Sequence, residues 1–338
     1  LTLTEREKTI LRVIIADYIV GAKPVASKAI VNKHGLKVSP ATIRNDMAYL
    51  EQEGYITHPH TSAGSIPTDK AYRYYVESIS EDVELSLAEQ HLVFQLFQQA
   101  QEEMEEWVKV AAALLSRLVR NMAVVTSPKA TRHYFKHLDI VSIQDFLALL
   151  ILVLYETKIT QKTLSLNRAL PQSELTKLAN KFNALYAGID SSQILASKAE
   201  LSPEEEQISM SLAEMMAAED KRAYGKPYLE GLRLLLSQPE LFNNPKLPAI
   251  VGVLESEDWL EKISYRTLGH GEMRIIIGEE NPEAALQDLS LIIGQYGIPD
   301  KISGLLGVVG PKRMDYGRSI SWLNYLTTLL SNKVTQYV

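Results

Sequence analysis

The sequence predicts a multidomain α+β chain: an N-terminal winged helix-turn-helix, then a mixed α/β domain interrupted by a mainly helical insert. Three observations predict it. Residues 1–75 hold three short helical patterns followed by a β-prone pair split by a Gly/Ser turn. β-prone runs then occur in two blocks, between residues 134–166 and 273–309, and the stretch between the blocks is helical and acidic. Neither block alone offers enough strands to close a core, so one split domain explains them better than two separate ones. The expected organisation is a winged head at 1–75, the first part of the mixed domain with a long leading helix at 76–189, an insert at 190–248 and the second part of the mixed domain at 249–338.

The first helix opens on Thr4-Glu-Arg-Glu7, which has the capping-box form, and carries an apolar stripe from Ile10 to Ile19 that stops at Gly21. A second, short helix runs from Val25 to Lys33 and closes at Gly35. The third starts at Ser39-Pro-Ala-Thr: Ser39 caps the orphan N–H groups, Pro40 suits the first helical position, and Gly54 ends the helix. Ile43, Met47 and Leu50 form its buried stripe, which leaves Thr42, Arg44 and Asn45 near the exposed leading end. The segment from Tyr55 to Ile66 reads as a two-stranded wing, and 69–79 as a helical connector.

Downstream, Ser86–Asn121 reads as one long helix, and Leu138–Ile143, Phe146–Tyr155 and Ile159–Leu166 as strands. Helices are expected over 171–186, 282–293 and 315–331, with strands at 273–277 and 304–309. In the insert, Ile208, Met210, Leu212, Met215 and Met216 share an apolar helix face. Core packing is the default for such a face. The alternative is a subunit interface, for which Ile208, Leu212, Met215 and Met216 are the candidates, because Met-rich faces adapt to partners.

Composition narrows the function classes. The chain has 338 residues, 46% apolar and 22% charged, typical of a globular protein, and its lack of Cys excludes disulfides and thiol catalysis. The run Phe146–Tyr155 is too short to span a bilayer, and no signal-peptide pattern opens the sequence, so cytoplasmic residence without membrane contact is expected. Net charge is -6, but residues 1–75 carry a basic excess and the remainder an acidic one, as when a nucleic-acid-binding module is carried on a non-binding body.

Double-stranded DNA is therefore the expected partner. Arg and Asn are the residue types that pair with guanine and adenine edges, so Thr42, Arg44 and Asn45 are the candidate base readers. Lys28, Lys33, Lys37 and Ser39, with His58, His60, Thr61 and Ser62 of the wing, are the candidate backbone contacts. Ser202-Pro-Glu-Glu205 uses the same capping grammar, but its acidic first turn would repel phosphate. His58 with His60, and His133 with His137, lack the third and fourth ligand that zinc requires, so no metal site is expected. Gly304–Gly310 fits neither the dinucleotide nor the Walker spacing, no Gly-x-Ser-x-Gly elbow exists, and the carboxylate runs read as solvated helix faces. No cofactor and no catalytic set follow from the residues.

Ser39-Pro-Ala-Thr-Ile-Arg-Asn-Asp-Met-Ala-Tyr-Leu-Glu, His60-Thr-Ser-Ala-Gly, Ile66-Pro-Thr-Asp-Lys and Tyr72-Arg-Tyr-Tyr-Val closely resemble the HrcA family of heat-inducible transcription repressors. So do Ile277-Gly-Glu-Glu-Asn-Pro and Gly307-Val-Val-Gly-Pro-Lys-Arg-Met-Asp-Tyr, and the resemblance spans essentially the whole chain. It implies a GAF-like mixed domain, a dimerising insert, and a homodimer that binds the inverted-repeat CIRCE operator of chaperone operons. It also implies activity modulated by the GroE chaperonin. Two positions depart from the family pattern: Ser65 stands where Arg is usual in the wing turn, and Ala71 where Gly is usual. A ligand-sensing GAF-type regulator controlled by a small molecule is the alternative reading.

Overall fold

The computed structural model describes residues 3–34, 39–60, 63–79, 85–100, 103–130, 132–155, 158–197, 199–221, 227–242, 244–256, 259–260, 263, 272–299 and 301–337. They fall into two compact units: Leu1–Ser127 with Lys226–Gly297 and Leu305–Val338, and Pro128–Gly225 with Ile298–Gly304.

The first unit begins with a head of three helices, α1 (Glu5–Gly21), α2 (Ser27–His34) and α3 (Pro40–Gln52), and a short wing, β1 (Ile56–Thr57) and β2 (Ile66–Pro67). The Thr4 capping box forms: Thr4 Oγ1 accepts from the Glu7 N–H, and Glu7 Oε2 accepts from the Thr4 N–H at 2.7 Å. Ile10, Leu11, Ile14 and Ile15 of α1, Ile30 of α2 and Ile43, Met47 and Leu50 of α3 make the head's core. Arg6 clamps α1 to α3 through a two-pronged pair with Asp46, Nε to Oδ2 at 2.7 Å and Nη2 to Oδ1 at 2.9 Å.

The helix α4 (Asp69–Glu77) leads out of the head, capped by Thr68. The expected long helix is two, α5 (Leu87–Gln99) and α6 (Met104–Val119), because the chain leaves helical geometry at Ala100 with ψ 140°. The strand β3 (Met122–Thr126) follows, with every residue buried.

The second unit contains β4 (Lys129–Ala130), the meander β5 (Phe135–Gln144), β6 (Leu147–Leu154) and β7 (Ile159–Ser165), and helices α7 (Gln172–Tyr186), α8 (Ser191–Leu195) and α9 (Pro203–Lys221). The meander is antiparallel, with Val141 opposite Leu149 and Leu149 opposite Thr163. Alternation along β6 buries Ala148, Leu150, Leu152 and Leu154 on one face, where α7 and α9 supply Phe182, Tyr186, Ile208 and Leu212.

This division differs from the expected boundaries: residues 128–189 pack with 190–221 in one unit. The buried face of the β5–β7 sheet needs the α9 side chains to complete its core. The chain then returns to the first unit through β8 (Pro227–Glu230), α10 (Leu232–Leu236), α11 (Pro239–Phe242) and α12 (Leu247–Glu255). Strand β8, inside the stretch expected as insert, pairs with β3, Val124 opposite Leu229.

The remaining elements are β9 (Met273–Ile277), 3-10 turns at Gly278–Glu280 and Ala284–Leu286, β10 (Leu289–Ile298), β11 (Ile302–Pro311) and α13 (Tyr316–Tyr337). The sheet order in the first unit is β8-β3-β11-β10-β9. The expected helix over 282–293 is instead the 3-10 turn at Ala284–Leu286 followed by strand from Leu289. Leu289, Leu291, Ile292 and Ile293 are all buried, and an apolar run covered on both faces carries no period that separates helix from strand.

Candidate nucleic-acid interface

The leading end of α3 is organised by its cap. Ser39 Oγ accepts from the Thr42 N–H at 3.1 Å and lies 2.9 Å from Thr42 Oγ1, so the two hydroxyls satisfy each other and Thr42 is half-buried. Arg44 and Asn45 are exposed, with no side-chain partner among the described residues, while Ile43, Met47 and Leu50 turn into the core. The arrangement holds a cationic fork and an amide in solvent on a rigid helix, the requirement for reading base edges. Lys28 is exposed on α2. Lys33 lies on α2, but its side chain, like Lys37, Thr61 and Ser62, falls outside the described residues.

The wing is fixed from beneath. The Val25 N–H donates to Ser65 O and the Ser65 N–H to Val25 O, both at 2.9 Å. Gly64 makes this approach possible, since a Cβ there would lie 2.6 Å from the Val25 carbonyl carbon. Ser65 is fully buried and its Oγ lies 3.1 Å from His58 Nε2, while His58 Nδ1 lies 2.8 Å from Glu51 Oε1. Both His58 ring nitrogens are thus engaged in bracing α3 against the wing, and His58 is not a free phosphate contact as the sequence suggested. His60 is exposed and remains available. Position 65 is the inner base of the wing, so the departure from Arg is accommodated by burial of a small hydroxyl. Between wing and helix lies a cleft of about 370 Å³ lined by Val25, Ser27, Arg44, Glu51, His58 and Gly64.

Sequence reasoning also missed how the head is tied to the rest of its unit. Asp69 at the start of α4 accepts from Lys312 Nζ at 2.8 Å and from the Glu279 N–H at 3.0 Å. Gly278, at φ 52°, leaves room for that carboxylate, which a Cβ would meet at 1.9 Å. Arg73 forks onto Glu280 and donates to Ile275 O at 2.8 Å. Arg313 pairs with Glu240 and donates to Ile19 O at 3.1 Å and Gln238 Oε1 at 2.8 Å. The signal was present as separate motifs: Ile66-Pro-Thr-Asp-Lys, Tyr72-Arg, Ile277-Gly-Glu-Glu and Pro311-Lys-Arg all meet at this junction.

The insert candidates lie elsewhere than expected. Ile208, Leu212 and Met216 are fully buried and Met215 is 5% exposed, all in the core of the second unit. They hold α9 on the β5–β7 sheet and leave no surface for a partner, so core packing, not a subunit interface, accounts for this face; only Met210, 59% exposed, turns outward. His133 Nδ1 lies 2.9 Å from Asp220 Oδ1, a structural pairing that uses the ring.

Residues 24–69, which span α2, α3 and the wing, match the DeoR-like helix-turn-helix domain. Residues 105–320, from within α6 to within α13, match the HrcA protein C terminal domain. The chain belongs to the HrcA family. The heat-inducible transcription repressor HrcA of Dehalococcoides mccartyi (strain ATCC BAA-2266 / KCTC 15142 / 195) is 42% identical over 99% of this chain and 96% of its own length. The one from Chloroflexus aggregans is 36% identical over 99% and 93%. A crystal structure of a hypothetical protein shares the fold, with a TM-score of 0.62, 23% identity and complete coverage of both chains. In this HrcA-family chain the helix-turn-helix match contains Thr42, Arg44 and Asn45, and no described helix is long and apolar enough to cross a membrane.

Proposed function

We propose that the protein is a cytoplasmic transcription repressor of heat-shock chaperone operons that binds the inverted-repeat CIRCE operator as a homodimer. The observation that carries this reading is α3 itself: a capped helix inside a helix-turn-helix match, with Arg44 and Asn45 free in solvent beside a braced wing. In the bound state α3 enters the major groove, Arg44 and Asn45 read base edges, and Lys28 and His60 meet flanking phosphates. A two-fold dimer presents α3 twice, so operator symmetry mirrors protein symmetry. Occupancy of the operator excludes polymerase. The mixed domain is read as GAF-like, and the GroE chaperonin sets the active fraction by favouring the competent conformation.

With the Met-rich face of α9 in the core, the surface we assign to the dimer is the outer face of the β5–β7 sheet. Val141 and Ile159 are 41 and 65% exposed there, beside half-buried Leu147, Leu149, Ile151 and Val153, with Phe146 58% exposed in the adjoining turn. An antiparallel sheet commonly keeps one face polar, whereas here the central strand β6 is apolar on both faces, flanked on the outer one by Asp139, Gln161 and Thr163.

The test is operator binding by fluorescence anisotropy. Arg44→Ala should weaken binding to the inverted repeat by about 1 to 3 kcal/mol and relax preference at one base position. Wild-type affinity and selectivity in a folded Arg44→Ala protein would remove α3 as the reader.

A further inference from the structure

The junction between head and body encloses a cleft of about 640 Å³, within the range of small-molecule sites. The head contributes Tyr18 of α1 and Tyr72 of α4, and the body contributes Glu240, Glu279, Lys312 and Arg313. Tyr72 is 2% exposed, yet among the described residues its hydroxyl has no hydrogen-bond partner, and neither does the buried Oε2 of Glu240. A buried phenol and a buried carboxylate oxygen left unpaired on the walls of one cleft are costly unless something else meets them.

The chemistry of that missing group follows from what is already paired. All three Arg313 nitrogens are engaged, by Glu240, Ile19 O and Gln238 Oε1, and Lys312 is held by Asp69. Lys70 donates to Glu53 O at 2.6 Å and lies over the Tyr55 ring. Each cation of the cleft thus already faces an acceptor, whereas among the described residues Tyr72 Oη, Glu240 Oε2 and the exposed Glu279 carboxylate face no donor. Burial among Tyr316, Tyr18 and Glu240 keeps the Tyr72 phenol protonated, a neutral partner beside negative ones. Both carboxylates accept only, so the group that completes them must bring N–H donors.

We propose that this cleft binds a small organic cation with N–H donors, an alkylamine or guanidinium compound, through Tyr72 Oη, Glu240 Oε2 and the Glu279 carboxylate. Such a ligand touches head and body at once, so it stabilises one head arrangement and shifts operator affinity by its differential affinity for the two states. That consequence rests on the DNA-binding reading; binding itself does not.

Isothermal calorimetry on the DNA-free full chain, with agmatine and spermidine as probes, tests the site. Saturable binding of at least one probe is expected below about 1 mM. Tyr72→Phe removes only the unpartnered hydroxyl, so it should fold normally and weaken binding about 10-fold. Glu279→Gln keeps the backbone N–H that serves Asp69 and should weaken binding by a similar factor. Absence of saturable heat up to about 10 mM for both probes, or affinities unchanged in both variants, overturns the proposal. Operator anisotropy with and without the bound probe is measured separately, so loss of the DNA-binding reading would leave the calorimetric result standing.

Discussion

Gly64→Ala is the most incisive perturbation of the head, because the obstacle is backbone and cannot rotate away. The added Cβ would lie 2.6 Å from Val25 C, 2.7 Å from Val25 O and 2.8 Å from Pro24 C, where ordinary contact begins near 3.4 Å. The wing must withdraw by several tenths of an ångström, and overpacking of this kind costs about 1 to 3 kcal/mol. Withdrawal also stretches the reciprocal Val25–Ser65 hydrogen bonds, now 2.9 Å each, for about another 1 kcal/mol. A loss of about 2 to 4 kcal/mol corresponds to roughly a 30- to 1,000-fold rise in local opening. Amide hydrogen exchange at Val25 and Ser65 reads this directly, alongside the urea midpoint. Two other glycines calibrate the result. Gly252 in α12 has open space around it, so Gly252→Ala should stabilise by about 0.5 to 1 kcal/mol. Gly54 also has space but sits at φ 76°, so Gly54→Ala should cost about 1 kcal/mol from backbone alone. Unchanged exchange at Val25 and Ser65 in Gly64→Ala would show that the wing is not seated on Val25 as described.

Further outcomes follow from the same geometry. Lys28→Ala should weaken binding to all DNA sequences alike and reduce the salt slope by about 0.9, measured by anisotropy across a salt series; a sequence-selective loss would contradict a phosphate role. Ile151→Lys with Leu149→Lys should convert a dimer to monomer in light scattering, whereas a variant that stays dimeric places the interface off the β5–β7 sheet. In the second unit, Asp190 is held below its ordinary pKa of 3.8, chiefly by the Ser192 hydroxyl at 2.6 Å, and Glu205 below 4.5, chiefly by Lys181 at 2.7 Å. Lowered folded values mean that this stabilisation is present above the unfolded values and is lost as pH falls through the folded ones. Thermal midpoints should therefore drop below about pH 4, and Asp190→Asn should lower the neutral-pH midpoint while flattening that drop.

Local chemistry was legible in the sequence wherever one segment decided it. Thr4 with Glu7, Ser39 with Pro40, and Ser202 with Glu205 each announce a helix start, and each cap forms. The meander at 135–165 was readable as three β-prone runs, although Leu147–Leu154 is apolar throughout and alternates only in burial. What required three dimensions was anything settled by a distant partner. Leu289–Ile293 is strand because β9 lies beside β10 and cover on both faces removes the period. The α9 face reads from residues 203–221 as core by default or as an interface, and it is core because the β5–β7 sheet packs on it. His58 looked like a wing contact, yet Glu51 and Ser65, each seven residues away, claim both its nitrogens.

The motifs that carry the family resemblance divide between two tasks. The Ser39–Gly54 motif builds a reader, and the motif at 66–73 grips its far end, Thr68 Oγ1 donating to Gly54 O at 2.7 Å and Lys70 Nζ to Glu53 O at 2.6 Å, whereas those at 277–280 and 307–316 belong to the body. They converge on Asp69, Arg73 and their partners at the head–body junction. A reader on a free tether would need only the first. The second set fixes the direction in which α4 leaves the body, and in a two-fold dimer that direction sets the distance between the two α3 helices. Half-site spacing is a geometric property of the dimer, so a repressor of a fixed inverted repeat needs the junction as much as the reader. Charge pairs, a backbone N–H donor and a glycine at φ 52° hold it around the buried contact of Tyr72 with Tyr316. Polar junctions of this kind are where domain motions are expected, and a cleft with two unpaired buried oxygens sits inside this one. Release of the head therefore requires that the ion pairs of Asp69, Arg73 and Arg313 exchange partners and that the Tyr72 ring leave Tyr316.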